Sequence, residues 1–139
     1  MIHWGEHKVL LHAREGGWWD ANKIGRSPQP IQTPDGWLVM YHGVRQTVSK
    51  LSYRLGLVLL DLEDPTKVLR RSDGWIFGPR ELYERSGDVN DVVFPCGMII
   101  VDDEFRIYYG SAYTSVSLAS AKVKDVLEYI HSCPEVWCF

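Results

Sequence analysis

One strand-turn-strand unit occurs twice in this chain, and that recurrence constrains the fold more than any other feature. In "PQPIQTPDGWLVMYHGV" and "FPCGMIIVDDEFRIYYGSA", short apolar runs flank Pro34-Asp35-Gly36 and Asp102-Asp103. Runs rich in Val, Ile, Tyr, Phe and Trp that break at Pro, Asp and Gly predict β-strands, and Asp-Gly or Asp-Asp pairs suit tight hairpin turns. Overlaying the two units sets Pro28 over Pro95, Asp35 over Asp102, Tyr41 over Tyr108, His42 over Tyr109 and Gly43 over Gly110. Each hairpin leads into a further apolar strand, "YRLGLVLLDL" or "SVSLASAKV". Each unit is therefore expected to contain at least three antiparallel strands.

A small antiparallel sheet repeated along a chain is the signature of a β-propeller. The expected fold is all-β: one domain over residues 1–139, a partial propeller of two to three blades, with blade units at about 23–62 and 90–123. The connection "EDPTKVLRRSDGWIFGPRELYERSGDVN" makes the spacing longer than an ordinary blade, and its "DGWIF" is expected to pair as an outer strand or to cross to the next blade. In "AKVKDVLEYIH", Val123, Val126, Leu127 and Ile130 fall at helical spacing with charged residues opposite, predicting a carboxyl-terminal helix over about 122–131 packed on a sheet edge. So few blades leave strand edges open. The expectation is either self-association or a longer polypeptide that supplies the missing amino-terminal blades.

Composition removes several classes of function. With a net charge of −3 and a pI near 5.9 there is no basic stripe for nucleic acid. No apolar run approaches the roughly 20 residues that span a bilayer, and "MIHWGEHKVLLHAREGG" is charged where a signal peptide would be apolar. No membrane partner is expected, and the chain reads as cytoplasmic. Cys96, Cys133 and Cys138 are odd in number and lack CxxC spacing, which predicts reduced thiols, no disulfide framework and no metal. Cys96 is expected to be a buried small hydrophobe, and Asp61, Glu63 and Asp64 a solvated turn.

Two residues stand out from the strand pattern. Lys23 precedes the first strand of its unit and His42 ends the second, and strand ends of a propeller face the channel where ligands bind. A lysine and an imidazole there could hold an anion such as phosphate, although spacing alone favours a solvated lysine and a hydrogen-bonded histidine. Tyr53 and Arg54 lie at a strand entrance, suited to a ligand or to strand packing. Asp88 could accept a sugar hydroxyl or cap the turn that it makes with Gly87.

Five motifs in order, "WWDANKIGRSPQPI", "GWLVMYHGV", "YRLGLVLLDLEDPTKVLRRS", "YERSGDVNDVVFPCG" and "IYYGSA", resemble the carboxyl-terminal half of glycoside hydrolase family 130, from near Met1 to about Ile130. The resemblance implies a five-bladed propeller and a β-mannoside phosphorylase or related glycosidase, in which inorganic phosphate replaces water and releases mannose 1-phosphate. No other cofactor is implied. Lys23 of "KIG" and His42 of "YHG" match the family's phosphate-binding lysine and histidine, which favours phosphorolysis over hydrolysis. The family's general-acid aspartate and its arginine pair belong to amino-terminal blades, so this chain alone is expected to be inactive and its own catalytic residue is unassigned. Met1 reads as an internal position, in a strand of the family's mid-chain. Where the family reads "YYGAADT" this chain has "YYGSAYT", with Tyr113 in place of a sugar-contacting carboxylate. The alternative expectation is a non-catalytic carbohydrate-binding or interaction module derived from the family.

Overall fold

The computed structural model describes residues 3, 5–26, 28–48 and 50–136, which form β1 (Lys23–Arg26), β2 (Ile31–Thr33), β3 (Gly36–Gln46), β4 (Leu51–Leu60), β5 (Val68–Arg71), α1 (Leu82–Arg85), β6 (Val93–Val101), β7 (Glu104–Ser111), β8 (Ser115–Lys122) and α2 (Val123–Ser132). In the first sheet β1 and β2 both pair with β3, followed by β4 and β5; the second runs β6-β7-β8. Every pairing is antiparallel. This meets the all-β expectation, and among the described residues neither sheet closes on itself.

The hairpins close where the turn residues predict, by different backbone routes. Asp102 and Asp103 both take positive φ (51° and 61°), as a primed two-residue turn requires. Pro34 is locked at negative φ, and the compensating twist falls on Gly36 at φ 146°, where a Cβ would collide with the Leu60 carbonyl. The closing pairs are Thr33 with Gly36 and Val101 with Glu104. They correct the sequence overlay by one residue, because Tyr41 then corresponds to Tyr109 and His42 to Gly110. The prolines do not match in register, because Pro95 pairs with Tyr109 whereas Tyr41 pairs with Arg26, and β6 carries a bulge between Pro95 and Gly97. Cys96 is the inserted residue, and a bulged residue leaves the ladder. Its side chain is accordingly exposed, correcting the expectation of burial.

Other boundaries differ from the sequence reading. Lys23 is the first residue of β1 instead of preceding the strand, and Pro28 and Pro30 fall between β1 and β2, where a missing N–H costs no ladder bond. The outer strand is β5; "DGWIF" contributes only a bridge between Leu55 and Phe77. No strand forms at residues 5–15, while Met1, Ile2 and Trp4 lie outside the described residues, as does Cys138.

Between the sheets lies one core: Leu38 and Met40 of β3, Leu55, Leu57 and Leu59 of β4, Met98 of β6, and Phe105, Ile107 and Tyr109 of β7. Truncating one of these leucines to alanine removes about 2–5 kcal/mol. α2 closes the end of this core with Val123, Val126, Leu127 and Ile130, as its periodicity predicts. The helix is held by Val123 N–H on the Asp103 carbonyl (2.9 Å) and by His131 Nε2 against Asp35 Oδ2 (3.0 Å). On the other face of the first sheet Trp19 stacks on Tyr41 at 5.4 Å and lies across Gly43 and Gly56, where any Cβ would strike its indole. The outward face of the second sheet exposes Ile99, Tyr108, Val116 and Leu118.

Candidate functional site

Val44, buried in the middle strand, organises the site: Lys23 pairs with it from β1 and Tyr53 from β4. Residues paired across antiparallel strands share a face, and His42, two residues from Val44, joins them. The Lys23 ammonium stands 5.7 Å from the Tyr53 ring centroid, within cation–π range, and the His42 ring lies 6.2 Å from that of Tyr53. The second sheet adds Phe94, whose ring is 5.2 Å from His42. Lys23, His42 and Tyr53 are thus brought together by register alone. Sequence reading missed Phe94; the signal was its place directly before Pro95, the proline that marks the repeat.

His42 is half-buried beside an ammonium. Burial first, and the Lys23 charge second, hold its imidazole below the ordinary histidine range. At neutral pH it is therefore uncharged, with one ring N–H to donate. It crosses β1 over Gly25, which pairs with it.

Arg54 follows Tyr53 and so takes the opposite face. Its guanidinium lies 5.1 Å from the Trp75 ring centroid, its stem packs against Gly78, and Nη1 donates to the Tyr53 carbonyl at 2.8 Å. The structure separates it from the Lys23–His42 group.

Asp88 and Tyr113 form a second group on two joined loops. Val89 N–H donates to the Ala112 carbonyl (3.2 Å) and Ala112 N–H to the Val92 carbonyl (2.9 Å), which lays residues 86–92 against the β7–β8 turn. Gly87 N–H is capped by Asn90 Oδ1 at 3.1 Å, so the cap is Asn90, and Asp88 is left exposed. Tyr113 is 67% exposed at φ 60°, presenting its ring from the turn. Both groups lie at the end of the molecule where β3 and β7 finish. There Lys50, in the β3–β4 turn, bonds Asp91 Oδ2 at 2.6 Å, with Arg85 3.7 Å from the same carboxylate. An ammonium, a neutral imidazole and flat aromatic rings can hold an oxyanion beside an aromatic surface.

A profile of glycoside hydrolase family 130, described as β-1,4-mannooligosaccharide phosphorylase, matches residues 1–132. The chain belongs to glycoside hydrolase family 130. It is 40% identical over 134 residues to a β-1,4-mannooligosaccharide phosphorylase of Ruminococcus albus, covering 95% of this chain and 39% of that protein. The structure of β-1,2-mannobiose phosphorylase from Listeria innocua with β-1,2-mannobiose superposes with a TM-score of 0.83 at 40% identity, over 91% of this chain and 35% of the other. A glycosyl hydrolase from Bacteroides ovatus superposes at 0.74 with 30% identity, over 84% and 34%. The chain thus spans between a third and two fifths of the length of these relatives.

Proposed function

We propose that this chain supplies the phosphate-side wall of a mannoside phosphorylase site, within a five-bladed propeller of which its two sheets are two blades. Lys23 and His42 hold inorganic phosphate; Tyr53, Asp88 and Tyr113 face the β-mannoside. Arg54, on the opposite face, supports β4. A phosphate oxygen attacks the anomeric carbon, the glycosidic C–O bond breaks, and the leaving oxygen takes a proton from a general acid, giving mannose 1-phosphate with inverted configuration. That acid belongs to the part of the propeller beyond these two sheets, and the chain alone is inactive.

The observation that carries this reading is the pairing of Lys23 and Tyr53 on either side of Val44 with His42 on the same face. An anionic nucleophile needs a fixed cation and an N–H donor, and here backbone register fixes both. Calorimetric titration with phosphate tests it: weak binding that Lys23→Ala abolishes is expected, whereas Lys23→Ala binding phosphate as the native chain does would refute it. Supplying phosphate and mannobiose to this chain should yield no mannose 1-phosphate.

Tyr113 supports a second reading, a non-catalytic carbohydrate-binding module. Mannobiose binding without phosphate binding would favour it. Self-association through the open strand edges is the alternative to completion by further blades, and light scattering that finds a monomer at high concentration would exclude it. A reducing, cytoplasmic setting is proposed from the free thiols of Cys96 and Cys133.

A further inference from the structure

The corrected register makes Tyr41 and Tyr109 equivalent, each the sixth residue of its middle strand. Both are 2% exposed, and both give their phenolic proton to a buried carboxylate that arrives from the segment preceding the blade. Tyr41 Oη donates to Asp20 Oδ2 at 2.9 Å, and Tyr109 Oη to Glu84 Oε1 at 2.5 Å. The acids lie on unlike structures, Asp20 in a turn and Glu84 in α1, so the recurrence is one of chemistry and not of local sequence.

Each acid is otherwise enclosed. Asp20 is fully buried, and its Oδ2 also takes the Arg71 Nη2 proton (2.7 Å) with Arg14 Nε at 3.6 Å, while Oδ1 has no hydrogen-bond partner among the described residues. Arg71 reaches on to the His12 carbonyl and Arg14 to that of Ser72, so the whole 12–20 segment is tied down at this point. Glu84 Oε2 accepts the N–H groups of Arg80 (2.6 Å) and Glu81 (2.9 Å). Burial, the largest influence on Glu84, pushes its carboxyl up, but the bonds from Tyr109, Arg80 and Glu81 outweigh it and hold the group below the usual range. A carboxylate so enclosed cannot slide without losing charge-assisted bonds in a medium that returns none from water.

A short chain follows each acid. Three residues after Asp20 comes Lys23, and four after Glu84 comes Asp88. We infer that Tyr41 and Tyr109 are positioning residues: each clamps, through a buried carboxylate, the segment that delivers a ligand-binding side chain, Lys23 for phosphate and Asp88 for the sugar. The ligand roles rest on the proposed function; the clamps do not.

The experiment compares Y41F and Y109F, which remove one oxygen each. Amide exchange is read at Asn22, whose N–H bonds the Val44 carbonyl, and at Val89, bonded to Ala112. Y41F should speed exchange at Asn22 and spare Val89, and Y109F the reverse. Phosphate affinity should fall about tenfold in Y41F with mannobiose affinity kept, and mannobiose affinity about tenfold in Y109F with phosphate affinity kept, the scale of one charge-assisted bond. General loosening would move both amides and both ligands together, and that result overturns the inference, as does unchanged exchange at both amides. Exchange that moves with both affinities unchanged overturns the positioning role. If Lys23→Ala fails to weaken phosphate binding, the functional reading falls, while the exchange data still decide the clamps. Should Y41F not fold, D20N preserves shape and weakens the same clamp.

Discussion

A Cβ on Gly25 would stand 2.6 Å from Cε1 and 2.8 Å from Nε2 of His42. The imidazole therefore lies across β1 in the space that a side chain there would fill. Gly25→Ala should fold, because Gly25 does not need positive φ, but the ring must swing away. Phosphate affinity is expected to fall about tenfold, on the scale of one lost hydrogen bond to a charged group, with a shift of the His42 ring resonances. Unchanged resonances would show that the ring was never held there.

His42 also sets a pH dependence. Its folded value lies below the unfolded value of about 6.5, so the unfolded chain takes up a proton first as pH falls. Stability is full above that value and declines on acidification toward the lowered one. A bound dianion favours the imidazolium, so sulfate, whose charge is constant over this range, should bind more tightly as pH falls through the same window. Calorimetry from neutral pH downward checks this. His42→Asn should flatten the profile.

Tyr41 and Tyr109 predict an alkaline limit. Burial pushes Tyr41 up to about 12, against the pull of Arg71, and burial with the Glu84 bond pushes Tyr109 higher still. Because these values are raised, the stability that they contribute is full below the unfolded value of about 10 and is lost as pH rises toward the folded one. Denaturant unfolding at stepped alkaline pH should show it. Y41F should be less stable at neutral pH and shallower in its alkaline decline.

Asp91 is a cheaper target. Its partners Lys50 and Arg85 are both largely exposed, so Asp91→Asn should cost no more than about 1 kcal/mol. Asn tolerates the positive φ of 58° as Asp does, which leaves charge as the variable. Freed of its carboxylate, this end gains positive potential, and phosphate should bind slightly more tightly in low salt. An equal gain at high salt would point to a cause other than charge.

What was legible in the sequence was local. Both hairpins were readable because Pro34-Asp35-Gly36 and Asp102-Asp103 are turn chemistry, and α2 because Val123, Val126, Leu127 and Ile130 share a face without reference to the rest of the chain. β5 was hidden because it is four residues long and half of it, Arg70 and Arg71, is charged. Arg71 in fact turns its charge inward on the buried Asp20, while Arg70 holds the Cys133 carbonyl and the half-exposed Glu135. Anchoring the overlay on Pro28 and Pro95, which are not equivalent in register, shifted it by one residue, enough to exchange the buried Tyr109 for the half-exposed Tyr108 as the counterpart of Tyr41. Of the site, Lys23 and His42 were read as a pair and Tyr53 only alongside Arg54 at a strand entrance, whereas the turning away of Arg54 follows from strand alternation that was there to be counted. The acids Asp20 and Glu84 lie far from their tyrosines in sequence, and no local pattern announces either pair.

The apolar interior described above draws Leu38 and Leu57 from one sheet and Phe105 and Ile107 from the other, so neither sheet owns this centre, and the first keeps only the smaller cluster around Tyr41 and Val58. Severing the polypeptide anywhere between them would yield two pieces with wet, greasy flanks and no independent existence. Heat should accordingly dissolve the molecule in a single step, with no half surviving its neighbour.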